Sequence, residues 1–212
     1  MAILLKNHWN KKYTDTPISQ LGWYESKSIP SIQLIENCTV PKHSPIVDVG
    51  SGTSTLVANL LELGYQNLFA IDISDVALEK AKSLLNKEQA THVHWMVDDI
   101  TNPSSVLQLQ KIAVWHDRAV FHFLTEEQDR QTYRSLVQKV IMPRGFLIMA
   151  TFALEGATHC SGLPVQRYSV DGLCEFFGND FSLIESLDFT YEMPSGDVRP
   201  YVYARFQKIQ VA

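Results

Sequence analysis

From Ser44 onward, short β-branched or apolar runs alternate with amphipathic helical runs, and this alternation is the strongest constraint the chain carries. Parallel strands need long crossovers, and a helix packed on the sheet face is the usual way to make one. An α/β fold with a mostly parallel sheet and helices on both faces is expected. The first strand reads Pro45-Ile46-Val47-Asp48-Val49-Gly50, and the helix after it carries Leu56, Val57, Leu60 and Leu61 on one face, with Gly64 as its stop. A second strand at 67–72 leads to Ser74 as N-cap and a helix whose apolar face is Ala77, Leu78, Ala81, Leu84 and Leu85. Strands three and four are expected at 92–97 and 112–116, and Thr125 then opens a helix with Gln128 completing a capping box. A Pro143-Arg144-Gly145 turn precedes strand five at 145–152. A loop from Ala153 to Tyr168, a short helix from Ser169, and two runs at 181–191 and 200–206 complete the pattern, the last two reading as an antiparallel hairpin.

The 212 residues are 45% hydrophobic and show no repeat or long linker, so one domain over 1–212 is expected, with a core at 44–212 and an N-terminal segment at 1–43. A formal net charge of −5 offers no basic footprint for nucleic acid or an anionic membrane surface. No apolar run reaches the roughly 18 residues of a membrane span. The expectation is a soluble, cytoplasmic protein with neither nucleic acid nor membrane as a partner. Cys38, Cys160 and Cys174 are widely spaced and form no CxxC, which predicts reduced thiols. His92 and His94 share a strand face without a third ligand at suitable spacing, so no metal is expected.

Asp48-Val49-Gly50-Ser51-Gly52-Thr53 sits where a strand becomes a helix, a place where glycines let backbone approach a ligand. The dinucleotide fingerprint GxGxxG would need glycine at 55, where Thr55 stands. Asp72 ends strand two, about 20 residues past the glycines, where a carboxylate can accept from both ribose hydroxyls. Asp98-Asp99-Ile100 ends strand three, where a side chain can accept from an adenine amino group while Ile100 packs on the ring. Three strand ends thus face one adenosine.

In order and spacing, Asp48-x-Gly50-x-Gly52, Asp72, Asp99-Ile100 and the terminal hairpin resemble a class I S-adenosylmethionine (SAM) dependent methyltransferase over roughly residues 44 to 206. The family's first motif often has a third glycine where this chain has Ser54. The resemblance implies a Rossmann-like seven-stranded sheet of order 3-2-1-4-5-7-6 with its last strand antiparallel, and S-adenosylhomocysteine (SAH) as product. It also implies a cofactor site of Asp48, Gly50, Gly52, Thr53, Asp72, Ile73, Asp99 and Ile100, with Trp115 and Tyr13 beside it. Trp115-His116-Asp117-Arg118-Ala119-Val120 resembles the stretch after strand four in thiopurine-type methyltransferases, and more closely that of bacterial class I methyltransferases, which supplies a cofactor but no acceptor.

Methyl transfer from a sulfonium is an in-line displacement, so an enzyme mainly aligns the nucleophile, and a thiolate acceptor needs little else. Residues after strand four are expected near the methyl group. His116 is a candidate base or a packed strand-end histidine, with Asp117 as its catalytic companion. Asp117 and Arg118 bind a polar acceptor or pair with each other. His122, Cys160, Arg167 and Trp23 are candidate acceptor contacts. The aromatics of 1–43, Trp9, Tyr13, Trp23 and Tyr24, are expected to fold over the cofactor, with Tyr13 near the sulfonium.

The expected activity is SAM-dependent methylation of a small molecule, a thiol or chalcogen compound in its sharpest form. Protein lysine methylation and a non-catalytic SAM-binding module are the alternatives. A nicotinamide oxidoreductase is disfavoured by Thr55.

Overall fold

The computed structural model describes residues 2–209. The helices are α1 (Ala2–Asp15), α2 (Ile29–Glu36), α3 (Leu56–Glu62), α4 (Asp75–Ser83), α5 (Lys87–Thr91), α6 (Glu127–Val140) and α7 (Val170–Phe177). The strands are β1 (Ile46–Val49), β2 (Leu68–Asp72), β3 (Val93–Val97), β4 (Ile112–Arg118), β5 (Ile141–Phe152), β6 (His159–Cys160), β7 (Leu163–Pro164), β8 (Phe181–Glu192) and β9 (Val198–Lys208). The main sheet has seven strands in the order β3-β2-β1-β4-β5-β9-β8, parallel from β3 to β5, with β9 antiparallel to both its neighbours. This is the expected 3-2-1-4-5-7-6 arrangement, β9 being its reversed last strand.

All four residues of β1 are buried, as a central strand covered on both faces requires. Trp115, Tyr133, Phe121 and Phe177 fill the layer under α6 and α7, while Ile35, Leu60, Ile148 and Tyr203 fill the opposite layer. Side chains alternate along β4, so Trp115 and Asp117 enter the first layer and His116 faces the second. Asp117 is fully buried. Its carboxylate accepts from the Val120 and Phe121 backbone N–H groups and, at 2.7 Å, from the Tyr133 hydroxyl, closing the turn after β4. Burial, only partly offset by these donors, pushes its pKa up to about 6.

Several local expectations are corrected. Pro143-Arg144-Gly145 lies inside β5 as an irregularity, since the β4–β5 register jumps from Ile112↔Ile141 to Val114↔Phe146. Arg144 takes φ +63° there, and a Cβ on Gly145 would stand 2.9 Å from the Met142 carbonyl oxygen. A bulge of this kind is where proline is tolerated in a sheet. The capping box at Thr125 does not form: Glu126 is the N-cap without a side-chain bond, and Arg130 fixes the segment through the Leu124 and Thr125 carbonyls. The helix after Ser74 stops at Ser83, leaving Leu84 65% exposed, and the separate α5 begins with a capping box of Asn86 and Gln89. The loop from Ala153 to Tyr168 contains the small β6–β7 hairpin.

The N-terminal segment is tied to the sheet by polar contacts. Asn10 accepts from the Ser74 hydroxyl at 2.7 Å and donates to Asp75 at 2.8 Å, Lys6 pairs with Asp75 at 3.0 Å, and Lys80 donates to the Tyr13 carbonyl. Helix α1 thereby lies against the N-terminus of α4, which starts at the end of β2.

Tyr133→Phe removes a donor from the buried Asp117 carboxylate and the acceptor of the Trp115 indole N–H. A loss of about 2 kcal/mol is expected, seen as a melting temperature lower by roughly 4–8 °C. An unchanged melting temperature would contradict this account of the turn.

Candidate active site

The carboxyl ends of β1 to β4 meet at one edge of the sheet, where ligands of open α/β sheets bind. Three aspartates shape that edge. Asp72 accepts from the Gly52 N–H through one oxygen and the Ser74 N–H through the other, both at 2.8 Å, joining the turns after β1 and β2. Burial, only partly offset by these donors, pushes its pKa up to about 6. Asp98 accepts from the backbone of Ser104 and Val106 and so closes the loop after β3. Asp99 accepts from Thr101 through Oδ1, while its Oδ2 is buried with no hydrogen-bond partner among the described residues.

Gly50 and Gly52 take φ of +63° and +52°, in the left-handed region. A Cβ on Gly50 would stand 2.0 Å from Val120, and one on Gly52 would stand 2.2 Å from the Tyr13 hydroxyl. Any side chain at either position would therefore displace the wall of the site. Trp9, Tyr13 and Trp23 form an aromatic cluster, with Trp9–Trp23 and Tyr13–Trp23 centroids each 5.8 Å apart.

These elements enclose a cavity of about 280 Å³. One part of its lining comes from Gly50, Asp72, Ile73, Asp99 and Ile100, and another from Tyr13, Trp23, Arg118 and Cys160. Gly52 is not part of the lining but packs against the Tyr13 hydroxyl. Trp9, expected in the cover, also lines it, as do Lys12, Phe123, Arg199 and Tyr201, which were not among the expected site residues. The i, i+4 spacing of Trp9 and Tyr13 put both on one helix face and was available as a signal. Nothing in the local sequence brings β9 to this cavity, because that follows from sheet order.

Other expected residues stand elsewhere. His116 is buried behind the cavity, with Nδ1 2.7 Å from Asp48 Oδ1 and Nε2 2.9 Å from the Ser31 hydroxyl. This chain of contacts links α2 to β1 and leaves His116 no ring nitrogen to offer an acceptor. Asp117 caps its own turn on the opposite face, so it neither assists His116 nor pairs with Arg118. Arg118 instead pairs with Glu25 at 3.3 Å and donates to the Tyr203 hydroxyl and the Trp23 carbonyl. Asp48 and Thr53 line a separate polar pocket of about 40 Å³ with His116 and Ser31. Trp115 is packed under α6 and donates to Tyr133. His122 is fully buried beside Phe123 and Phe152, and burial together with the Arg118 charge pushes its pKa down to about 3, so it is a neutral packing residue. Arg167 is outside the cavity and holds the Leu154 and Gly156 carbonyls.

A family model described as a methyltransferase domain matches residues 41–172, more than half of the chain. The chain belongs to the class I SAM-dependent methyltransferases. Among curated proteins, this methyltransferase is 26% identical to EEF1A lysine methyltransferase 2 of Danio rerio, over 86% of its own length and 77% of that protein. It is 23% identical to EEF1A lysine methyltransferase 2 of Homo sapiens, over 88% and 78% respectively. Among solved structures, a SAM-dependent methyltransferase from Anabaena variabilis superposes with a TM-score of 0.75 at 15% identity, covering 98% of this chain and 94% of that one. The N-methyltransferase NodS from Bradyrhizobium japonicum, in complex with SAH, superposes with a TM-score of 0.69 at 14% identity, covering 97% and 98%. The cofactor is SAM. The strand-end carboxylates fit it, since the partnerless Asp99 Oδ2 is an acceptor awaiting a donor of the kind an adenine amino group supplies.

His116→Ala removes two buried hydrogen bonds and leaves Asp48 and Ser31 unpaired. It is expected to cost about 3 kcal/mol of stability while leaving the pH profile of methyl transfer unchanged. A collapse of turnover at an unaltered melting temperature would instead give His116 the base role.

Proposed function

We propose that this methyltransferase acts on a small molecule, with a thiol or related chalcogen as the accepting atom. The observation that carries this reading is the wall around Trp9, Trp23, Arg118 and Tyr201, which is rich in aromatic side chains, the lining carboxylates among the described residues being Asp72, Asp98 and Asp99 at the strand ends. Glu25 is engaged by Arg118, and the lining histidine, His159, is exposed beside Thr158. An acceptor that brings its own ionisable nucleophile suits such a wall. A thiol, with an ordinary pKa near 8.5, supplies some thiolate at neutral pH, whereas a lysine amine near 10.4 needs help.

When bound, SAM supplies a methyl group on a positively charged sulfur, open to in-line displacement. In this reading Asp72 accepts from the ribose hydroxyls, Asp99 Oδ2 from the adenine amino group, and Ile100 packs on the ring. Backbone at Gly50 and Gly52 borders the methionine moiety, and Tyr13 presents its ring toward the cationic sulfur. Trp23, Arg118 and Cys160 border the acceptor, and closure by α1 excludes water. The three free cysteines support a reducing, cytoplasmic setting. No helix among the described residues is long and apolar enough to cross a membrane.

A second reading is methylation of a protein lysine, favoured by the likeness to EEF1A lysine methyltransferase 2 over 86–88% of the chain. The cations near Trp23 would then serve to depress the pKa of the incoming amine. Incubation with SAM and either a panel of small thiols or a translation elongation factor separates the two. SAH release with S-methyl products is expected from the thiols. Methyl-lysine on the factor without any thiol product would overturn the primary reading.

The ionisation of Asp72 gives a further check. A carboxyl protonated below about pH 6 loses part of its capacity to accept from ribose hydroxyls. SAH affinity is expected to rise between about pH 5 and pH 7, and Asp72→Asn to bind weakly without that rise. Equal pH dependence in both proteins, measured by calorimetry, would remove Asp72 from the ribose contact.

A further inference from the structure

We propose that the methyl acceptor carries an anionic group, a carboxylate on an aromatic framework, which is seated by Lys12 and Arg199. This deepens the small-molecule reading above and rests on it. Lys12, from α1, and Arg199, from β9, both line the 280 Å³ cavity and are half-buried. Neither has a carboxylate within ion-pair distance among the described residues. Arg118 is a third cation of the same wall. Its charge is balanced by Glu25, whose carboxylate lies 3.3 Å from Nη2.

Lys12, Arg118 and Arg199 line the same cavity as Cys160, which comes from the β6–β7 hairpin. The cavity's own carboxylates stand at the strand ends, held by backbone or, in Asp99 Oδ2, left for the cofactor. Asp72 and Asp98 hold backbone N–H groups, and Asp99 holds Thr101.

Partly desolvated cations without a counter-charge lose hydration and gain no Coulomb energy in return. Their convergence raises the local potential, which favours an anion and repels an ammonium group. Trp9, Trp23 and Tyr201 line the same cavity and supply aromatic surface for an aromatic ring. One alternative source of the same chemistry is the methionine carboxylate of the cofactor itself. It supplies a single anion, so the measurement must tell cofactor from acceptor.

The test is calorimetric titration of the SAH-bound protein with benzoate and with benzamide, which share shape and differ in charge. No methyl transfer occurs in that complex, so the result does not depend on which atom is methylated. Benzoate is expected to bind at least about tenfold more tightly than benzamide. Lys12→Gln and Arg199→Gln are each expected to cut that preference to about threefold or less while SAH affinity stays within about twofold. Equal affinity for the two probes, or binding of neither, would overturn the inference. So would variants that lose SAH affinity and keep the probe preference, because the cations would then serve the cofactor. Benzoate preference without thiol methylation would remove the thiol assignment alone, and thiol methylation without benzoate preference would remove the anion site alone.

Discussion

The carboxylate of Asp72 is the contact on which the candidate active site is built. With its two oxygens it accepts from the backbone of Gly52 and of Ser74, so a single buried side chain fixes the turn after the central strand relative to the turn after its neighbour. The same device recurs twice. Asp98 closes the loop after β3 and Asp117 closes the turn after β4, each by accepting backbone N–H groups at a strand end. Such turns cannot pair their backbone within a sheet or helix, and a buried N–H left without a partner costs about 1–3 kcal/mol. Burying charged acceptors to satisfy them has its own cost, visible in the raised pKa of Asp72 and Asp117.

What stands above this floor depends on it. Gly52 has room only for hydrogen because the Tyr13 hydroxyl occupies the space a Cβ would need, and Tyr13 is held there by helix α1. Helix α1 is in turn anchored through Asn10 to Ser74 and Asp75, at the very turn that Asp72 closes. The cover and the glycine turn are therefore parts of one assembly. On the far side of β1 a second link, Ser31 to His116 to Asp48, joins α2 to the same strand. His116 thus has both ring nitrogens engaged in this link.

The parallel sheet, the closing hairpin and the cluster of Gly50, Asp72, Asp99 and Ile100 were legible in the sequence, because each rests on local periodicity or on a residue at a strand end, while the order of the strands came from the family resemblance. The roles of His116, Asp117 and Trp115 were not. Strand alternation sends consecutive residues to opposite faces, and which face meets the cavity depends on the layers packed there. Asp117 also looks in sequence like a free acid, whereas its partners are the two N–H groups just beyond it and a tyrosine one helix away. Arg199 and Tyr201 reach the cavity only because β9 inserts beside β5, a long-range pairing that no window of local sequence contains.

A crystal structure of the SAH complex tests this account most directly. The ribose hydroxyls should lie on Asp72, the adenine amino group on Asp99 Oδ2, and the sulfur should face Trp23, Arg118 and Cys160. A sulfur directed instead toward His116 and Ser31, or an adenine bound away from Asp99, would contradict it.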